Sequence, residues 1–192
     1  MKLKDVQKII NAGLQSPSKS IPEDEAKKIF AIFHIPVVEE KRETDVNKIL
    51  AACRKTGFPV VLKGISETIL HKTEKGLVRV GLNDESQVVN AVKEMKVSAK
   101  DDIDAFLIQP VVSGKREFVA GMFKDPQFGP VIVFGLGGIY TEALKDIVFK
   151  IAPLNDVDME DMFEQISSKK LLNAFRGEQA VKKQELKKIL KG

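Results

Sequence analysis

The stretch DPQFGPVIVFGLGG, residues 125–138, decides how this chain folds. Its centre, PVIVF (130–134), is a run of β-branched and aromatic residues bounded by Gly129 and Gly135, the pattern of a buried strand. Gly135, Gly137 and Gly138 follow at a spacing that differs from the dinucleotide-binding fingerprint and leads into no clear helix. Such glycines let a backbone approach a ligand closely. Beyond them, Glu142 and Asp146 share a face if the segment coils helically, and paired carboxylates beside a phosphate site suit a cation. A glycine loop with two exposed acids accounts for the same residues equally well.

Outward from this stretch, REFVAGMF (116–123) and DIVFKIAP (146–153) read as further strands. Upstream, PVVLK (59–63), LVRVGL (77–82) and AFLIQP (105–110) do the same. Between the strands the period changes. Ala26, Ile29, Phe30 and Phe33 recur at helical spacing after Ser20 and Pro22 as start signals, and His34 ends that helix in a left-handed turn. Val46, Ile49, Leu50 and Cys53 mark a second helix ended by Gly57, and Val88, Ala91, Val92 and Met95 a third over 84–95. Two more helices close the chain, through Met159, Met162, Phe163 and Ile166, and through Val181, Leu186, Ile189 and Leu190. The expected organisation is a helix and linker over 1–22, then two α/β lobes over 23–100 and 101–192, with a ligand cleft between them. The boundary falls near VSAKDDID (97–104), which is charged and has no apolar period.

The totals exclude several classes. The net charge of +4 comes from 31 basic and 27 acidic residues mixed along the chain, which is no nucleic-acid stripe. There is no Trp and one Tyr, so no platform exists for stacking bases. A single cysteine forbids an internal disulfide and fits a reducing, cytoplasmic setting; Cys53 lies on an apolar stripe and reads as core. No run is long enough for a membrane span, and the start MKLKDVQKII lacks the apolar core of a signal peptide.

The chemistry-bearing residues are few. Lys63 closes an apolar strand, so its ammonium either snorkels to solvent or meets a phosphate at the rim of the sheet. After it, HKTEKG (71–76) offers a histidine, Lys72, the hydroxyl of Thr73 and the turn of Gly76. Such a turn can cradle an anion, and a neutral His71 can attack phosphorus while lysines neutralise charge on the transferring oxygens. A solvated strand-edge histidine is the plain alternative. Glu117 starts a strand beside Lys115 and Arg116, where surface pairing is the default.

Taken together, IPEDEAKKIFAIFHIP, GFPVVLKGIS, ILHKTEKGLVRVGL, FLIQPVVSGKREFVAGMFKDPQFGPVIVFGLGG and the later FRGE resemble the ATP-grasp subunit of NDP-forming acyl-CoA synthetases over about residues 20–178. This group includes the ADP-forming acetyl-CoA synthetases and is related to succinyl-CoA synthetase. The resemblance implies an α/β ATP-grasp fold of two lobes. It also implies an acid–thiol ligase that works with a CoA-binding partner subunit or domain as a hetero-oligomer, on ATP/ADP with Mg²⁺. His71 matches the family's relay histidine. Lys63 matches its phosphate-contacting lysine, with Lys72, Thr73 and Gly76 in the adjoining loop. Gln109 and Val111 match the stretch that meets adenine, and Gly137 and Gly138 the glycine loop. Glu117, Glu142 and Lys150 match catalytic positions, and Glu142 and Asp146 candidate metal ligands.

Three departures accompany the likeness. Leu77 stands where a second loop glycine is usual, Lys150 where an arginine is usual, and the family's C-terminal metal-bearing strands have no counterpart after Glu178, as if truncated. They leave a second expectation open, a non-catalytic ATP-grasp remnant that binds nucleotide or a CoA-binding partner and regulates it.

Overall fold

The computed structural model describes residues 3–66, 68–69, 75–114, 116–138 and 145–191. The chain divides into two units, residues 1–112 and 113–192.

In the first unit, α1 (Leu3–Gln15) and α2 (Glu23–Ile32) precede a four-stranded antiparallel sheet. Its strands are β1 (Lys41–Glu43), β2 (Val60–Ile65), β3 (Val78–Leu82) and β4 (Ala105–Pro110), in the order β1-β4-β2-β3. Helices α3 (Val46–Thr56) and α4 (Glu85–Ser98) connect them. Asp45 caps α3 by accepting from the N–H groups of Asn47 and Lys48, and Asp84 caps α4 through Gln87 N. Gly57, at φ 85°, lets the chain leave α3, and His34, at φ 59°, takes the left-handed turn expected of it after α2.

Alternation along β2 and β4 sorts the two faces of this sheet. Val60, Leu62, Phe106 and Ile108 pack with Ile49, Cys53, Val88, Val92 and Met95 of α3 and α4 into one core. Each such buried aliphatic or aromatic side chain contributes about 1.5–3 kcal/mol. The opposite face carries Val61, Lys63 and Ile65 beside Gln109, Leu107 and Ala105, their register partners. That face holds the first group of candidate residues.

Two expectations are corrected here. Strand 105–110 was assigned to the second lobe, but β4 pairs along its whole length with β2, so it belongs to the first unit. The charged segment before it is a turn, with Lys100 and Asp101 at φ 52° and 61°, that returns the chain to the same sheet. The linker expected at the end of segment 1–22 is shortened by α1, which runs to Gln15, and then folds on itself. Ser16 Oγ donates to Gly13 O at 2.8 Å, and Ser18 and Ser20 hydroxyls lie 2.7 Å apart. Pro22, not Ser20, occupies the cap position of α2, without a side-chain cap bond.

The second unit is an antiparallel sheet of β5 (Phe118–Asp125), β6 (Gly129–Leu136) and β7 (Ile147–Ile151). It is backed by α5 (Asp156–Gln165), a short 3-10 helix (Lys169–Leu172) and α6 (Lys183–Lys191). Phe134 is the hub of its core, stacked on Phe118 at 5.8 Å and edge-on to Phe163 at 5.2 Å. Met159, Met162, Ile166, Leu172 and Leu190 complete it. Asn155 and Asp158 form a reciprocal capping box at the start of α5. Lys187 of α6 reaches Glu160 of α5 at 2.8 Å, with its stem buried between the helices.

Candidate nucleotide site

Lys63 sits inside β2, which runs on to Ile65, and is not a strand-end residue as its charge suggested. A lysine is tolerated there because α2 brings it a counter-charge. Lys63 Nζ donates to Glu23 Oε1 at 2.6 Å. The same oxygen accepts from Lys27 Nζ at 2.9 Å. Lys27 also reaches Glu40 Oε2 at 2.5 Å and Gln109 Oε1 at 3.2 Å. Glu23 and Lys27 are one helical turn apart, so both project onto the same sheet face. Burial alone would raise the Glu23 carboxyl, but hydrogen bonds from Lys63 and Lys27 override it and hold the group below its ordinary range. Burial likewise works against a charged Lys27, and hydrogen bonds to Glu40 and Glu23 turn the shift upward. Glu23, Lys27 and Glu40 were not singled out in the sequence. The visible signal was the i,i+4 pair of opposite charges in EDEAK; the far partner, Lys63, was not visible locally.

Beyond β2, the loop containing the histidine returns through Lys75 and Gly76. Gly76 has φ 68°, a conformation that requires glycine here. Its carbonyl accepts from Arg79 Nη1 at 2.7 Å, and the Lys75 carbonyl from Ser98 Oγ at 2.8 Å. Leu77 is fully buried in the first core, with its carbonyl accepting from Gly64 N at 2.9 Å. The extra bulk of Leu77 therefore points into the core and not into the turn. His71, Lys72 and Thr73 lie outside the described residues. A cavity of about 550 Å³ adjoins this region, bordered by Glu23, Ser16, Ser20, Ile65, Ser66 and Ile69 among others. Gln109 is half-buried at the end of β4 with its side-chain oxygen turned to Lys27, and Val111 follows it.

In the second unit, Glu117, Gly137 and Gly138 come together. Gly137 N donates to Glu117 O at 2.8 Å. A Cβ on Gly137 would stand 2.9 Å from the Phe118 carbonyl carbon, and one on Gly138, at φ 70°, would stand 2.9 Å from Glu117 Oε2. The main chain of Glu117 and Phe118 leaves no room for a side chain at Gly137, and the left-handed backbone favours glycine at Gly138. Arg116, beside it, donates to the carbonyls of Leu171, Asn173 and Gln179 and so fixes the chain on either side of the FRGE turn.

Asp146 and Lys150 do not join that group. Both Asp146 oxygens accept backbone N–H bonds, from Ser167 at 2.7 Å and Ser168 at 2.8 Å. Burial would raise this carboxyl, yet those bonds lower it, and the residue acts as a latch between β7 and the end of α5. Lys150 follows Val148 on the helix-covered face and pairs with Asp161 of α5 at 3.0 Å. The strand's alternation aims it at α5. Glu142 lies outside the described residues. Among the described residues, no group of three or more His, Cys, Asp or Glu side chains could hold a metal ion. No helix among them is long and apolar enough to cross a membrane.

Known proteins resemble this chain in sequence and fold. The ATP-grasp domain pattern matches residues 12–192. The beta subunit of acetate–CoA ligase [ADP-forming] I of Pyrococcus furiosus is 32% identical over 181 residues, covering 92% of this chain and 78% of the subunit. The 4-hydroxybutyrate–CoA ligase [ADP-forming] of Nitrosopumilus maritimus is 34% identical over 177 residues; the match takes in 90% of this chain but spans only 25% of that ligase. Among solved structures, acetyl-coenzyme A synthetase 1 of Ca. Korarchaeum cryptofilum, in complex with coenzyme A and Ca-AMPCP, superposes with a TM-score of 0.90 at 32% identity. That match covers 99% of this chain and 84% of the synthetase chain. In another complex of the same enzyme, with Mg-AMPPCP, a phosphohistidine segment points towards the nucleotide site (TM-score 0.80, 33% identity, 98% and 81% covered). The chain belongs to the ATP-grasp family, among the nucleotide-binding chains of the ADP-forming acyl-CoA ligases.

Proposed function

We propose that this chain is the nucleotide-binding part of an ADP-forming acyl-CoA synthetase. It would act with a CoA-binding partner, in a cytoplasmic hetero-oligomer, to make ATP from acyl-CoA, ADP and phosphate. On the partner, phosphate displaces CoA from the acyl group, and the resulting acyl phosphate passes its phosphoryl group to a histidine, releasing the acid. In this chain His71 takes the group over. A terminal oxygen of ADP then attacks the phosphorus, the P–N bond breaks, and the imidazole regains a proton.

Kinship to ADP-forming ligases along nearly the whole chain is the observation that carries this reading. Lys63 would meet the nucleotide phosphates, where an ammonium offsets charge on the oxygens. Gln109 and Val111 would border the base, while Gly76 with Lys72 and Thr73 would line the phosphates. Glu117, with Gly137 and Gly138, would face the transferring group. The nucleotide would bring Mg²⁺ with it. The burial of Leu77 favours the enzyme over the non-catalytic remnant, because its bulk lies in the core and not in the Gly76 turn.

The test is ATP formation from acyl-CoA, ADP and phosphate by this chain mixed with its CoA-binding partner. Turnover is expected only with both chains and should be lost with His71→Asn. Nucleotide binding without turnover in the complete mixture would instead favour the remnant.

A further inference from the structure

We propose that Glu23 is an internal competitor for the phosphate subsite of Lys63: its carboxylate stands in for a phosphate oxygen, and a bound nucleotide has to displace it. This rests on reading Lys63 as a phosphate ligand. Glu23 Oε1 lies between two ammonium groups, 2.6 Å from Lys63 Nζ and 2.9 Å from Lys27 Nζ. A single anionic oxygen shared by two lysines is the arrangement that a phosphate oxygen would adopt there.

The two lysines differ in how much they depend on that oxygen. Lys27 is also held by Glu40 at 2.5 Å and by Gln109 at 3.2 Å, so it keeps its place when Glu23 moves away. The Lys63 backbone is fixed between β3 and β4, being paired with Val78 and Leu107. Exchange at Lys63 is thus a matter of one side chain, carried on the first residue of α2, where Pro22 provides no side-chain cap. Glu23 also borders the 550 Å³ cavity, which gives the displaced carboxylate somewhere to turn.

Charge makes simultaneous occupancy unfavourable. A phosphate on Lys63 would stand within a few ångströms of an ionised Glu23, and a like charge that close disfavours the charged form. The carboxylate therefore lowers nucleotide affinity. A residue that merely positioned Lys63 would do the reverse, so the sign of the effect separates the two roles.

The experiment is calorimetric titration of the full chain with ADP in metal-free buffer, comparing the native protein with Glu23→Gln, Glu23→Ala and Lys63→Ala. The glutamine keeps the shape and an acceptor for Lys63 while removing the charge; the alanine is the second variant should the glutamine fail to fold. Glu23→Gln is expected to bind ADP about tenfold more tightly, and Lys63→Ala at least tenfold more weakly. Unchanged or weaker binding by the Glu23 variants, with Lys63→Ala impaired, overturns the competitor and leaves Lys63 in the site. Unchanged binding by Lys63→Ala removes both assignments.

Discussion

Replacing Gly137 with alanine probes the closest backbone approach in the second unit. The added Cβ would stand 2.9 Å from the Phe118 carbonyl carbon and 3.1 Å from both the Glu117 carbonyl carbon and Phe118 N. These are main-chain atoms at the start of β5, so no side chain can swing away to make room. Overpacking of this kind costs about 1–3 kcal/mol. Losing the bond from Gly137 N to Glu117 O adds about 1 kcal/mol. The sum, about 2–4 kcal/mol, lowers the melting temperature of an 80-residue unit by roughly 10–25 °C. Gly138→Ala is the internal comparison. The three atoms nearest its Cβ would all belong to the Glu117 side chain, which can turn aside, leaving the left-handed backbone penalty of about 1–2 kcal/mol. Thermal unfolding followed by circular dichroism should rank Gly137→Ala well below Gly138→Ala, and both below the native chain. If Gly138→Ala proves as damaging as Gly137→Ala, the argument from backbone proximity fails.

Other outcomes follow from the same contacts. The depressed Glu23 carboxyl contributes stability that is complete above the ordinary carboxylate range and lost as pH falls through its lowered value. Urea midpoints should decline on acidification, less steeply for Glu23→Gln; parallel profiles would show that the pair contributes nothing. Burial, with Glu85 nearby, pushes the Cys53 thiol up to about 11. A thiol reagent at pH 8 should therefore leave it unmodified until denaturant is added, and rapid native labelling would contradict the packing. Lys150→Ala, which breaks a half-exposed pair with Asp161, should change stability by less than about 1 kcal/mol and leave ADP affinity alone. A tenfold loss of affinity would place Lys150 in the site.

Helices α2 to α6 and most strands were legible because their apolar residues recur at 3.6 or at 2 and their ends carry glycine or acidic caps. Strand β1, with the sequence KRE, has no apolar residue to betray it and exists only because β4 offers it an edge. The full length of β2 was hidden by Lys63, since a charge at that point reads as a strand end until its partner on α2 is seen. The lobe boundary was misread for a related reason. The charged turn before β4 looks like an inter-domain segment, and only the pairing with β2 shows that the chain doubles back. Lys63, Gly76, Glu117, Gly137 and Gly138 are expected at the site from motif likeness. Their contacts with Glu23, Lys27 and the start of β5 depend on residues far away in sequence. Asp146 shows why a carboxylate's role is hard to read from sequence, because the backbone N–H groups of Ser167 and Ser168 that it accepts from lie more than twenty residues away.

The central claim is that this chain relays a phosphoryl group to nucleotide through His71. The direct measurement incubates the chain with its CoA-binding partner, acyl-CoA and radiolabelled phosphate, without ADP, and then separates the two chains. The account predicts acid-labile, alkali-stable label on this chain that is absent from His71→Asn and passes into ATP when ADP is added. Label that stays on the His71→Asn chain, or a native chain that never acquires any while ATP is still made, would contradict it.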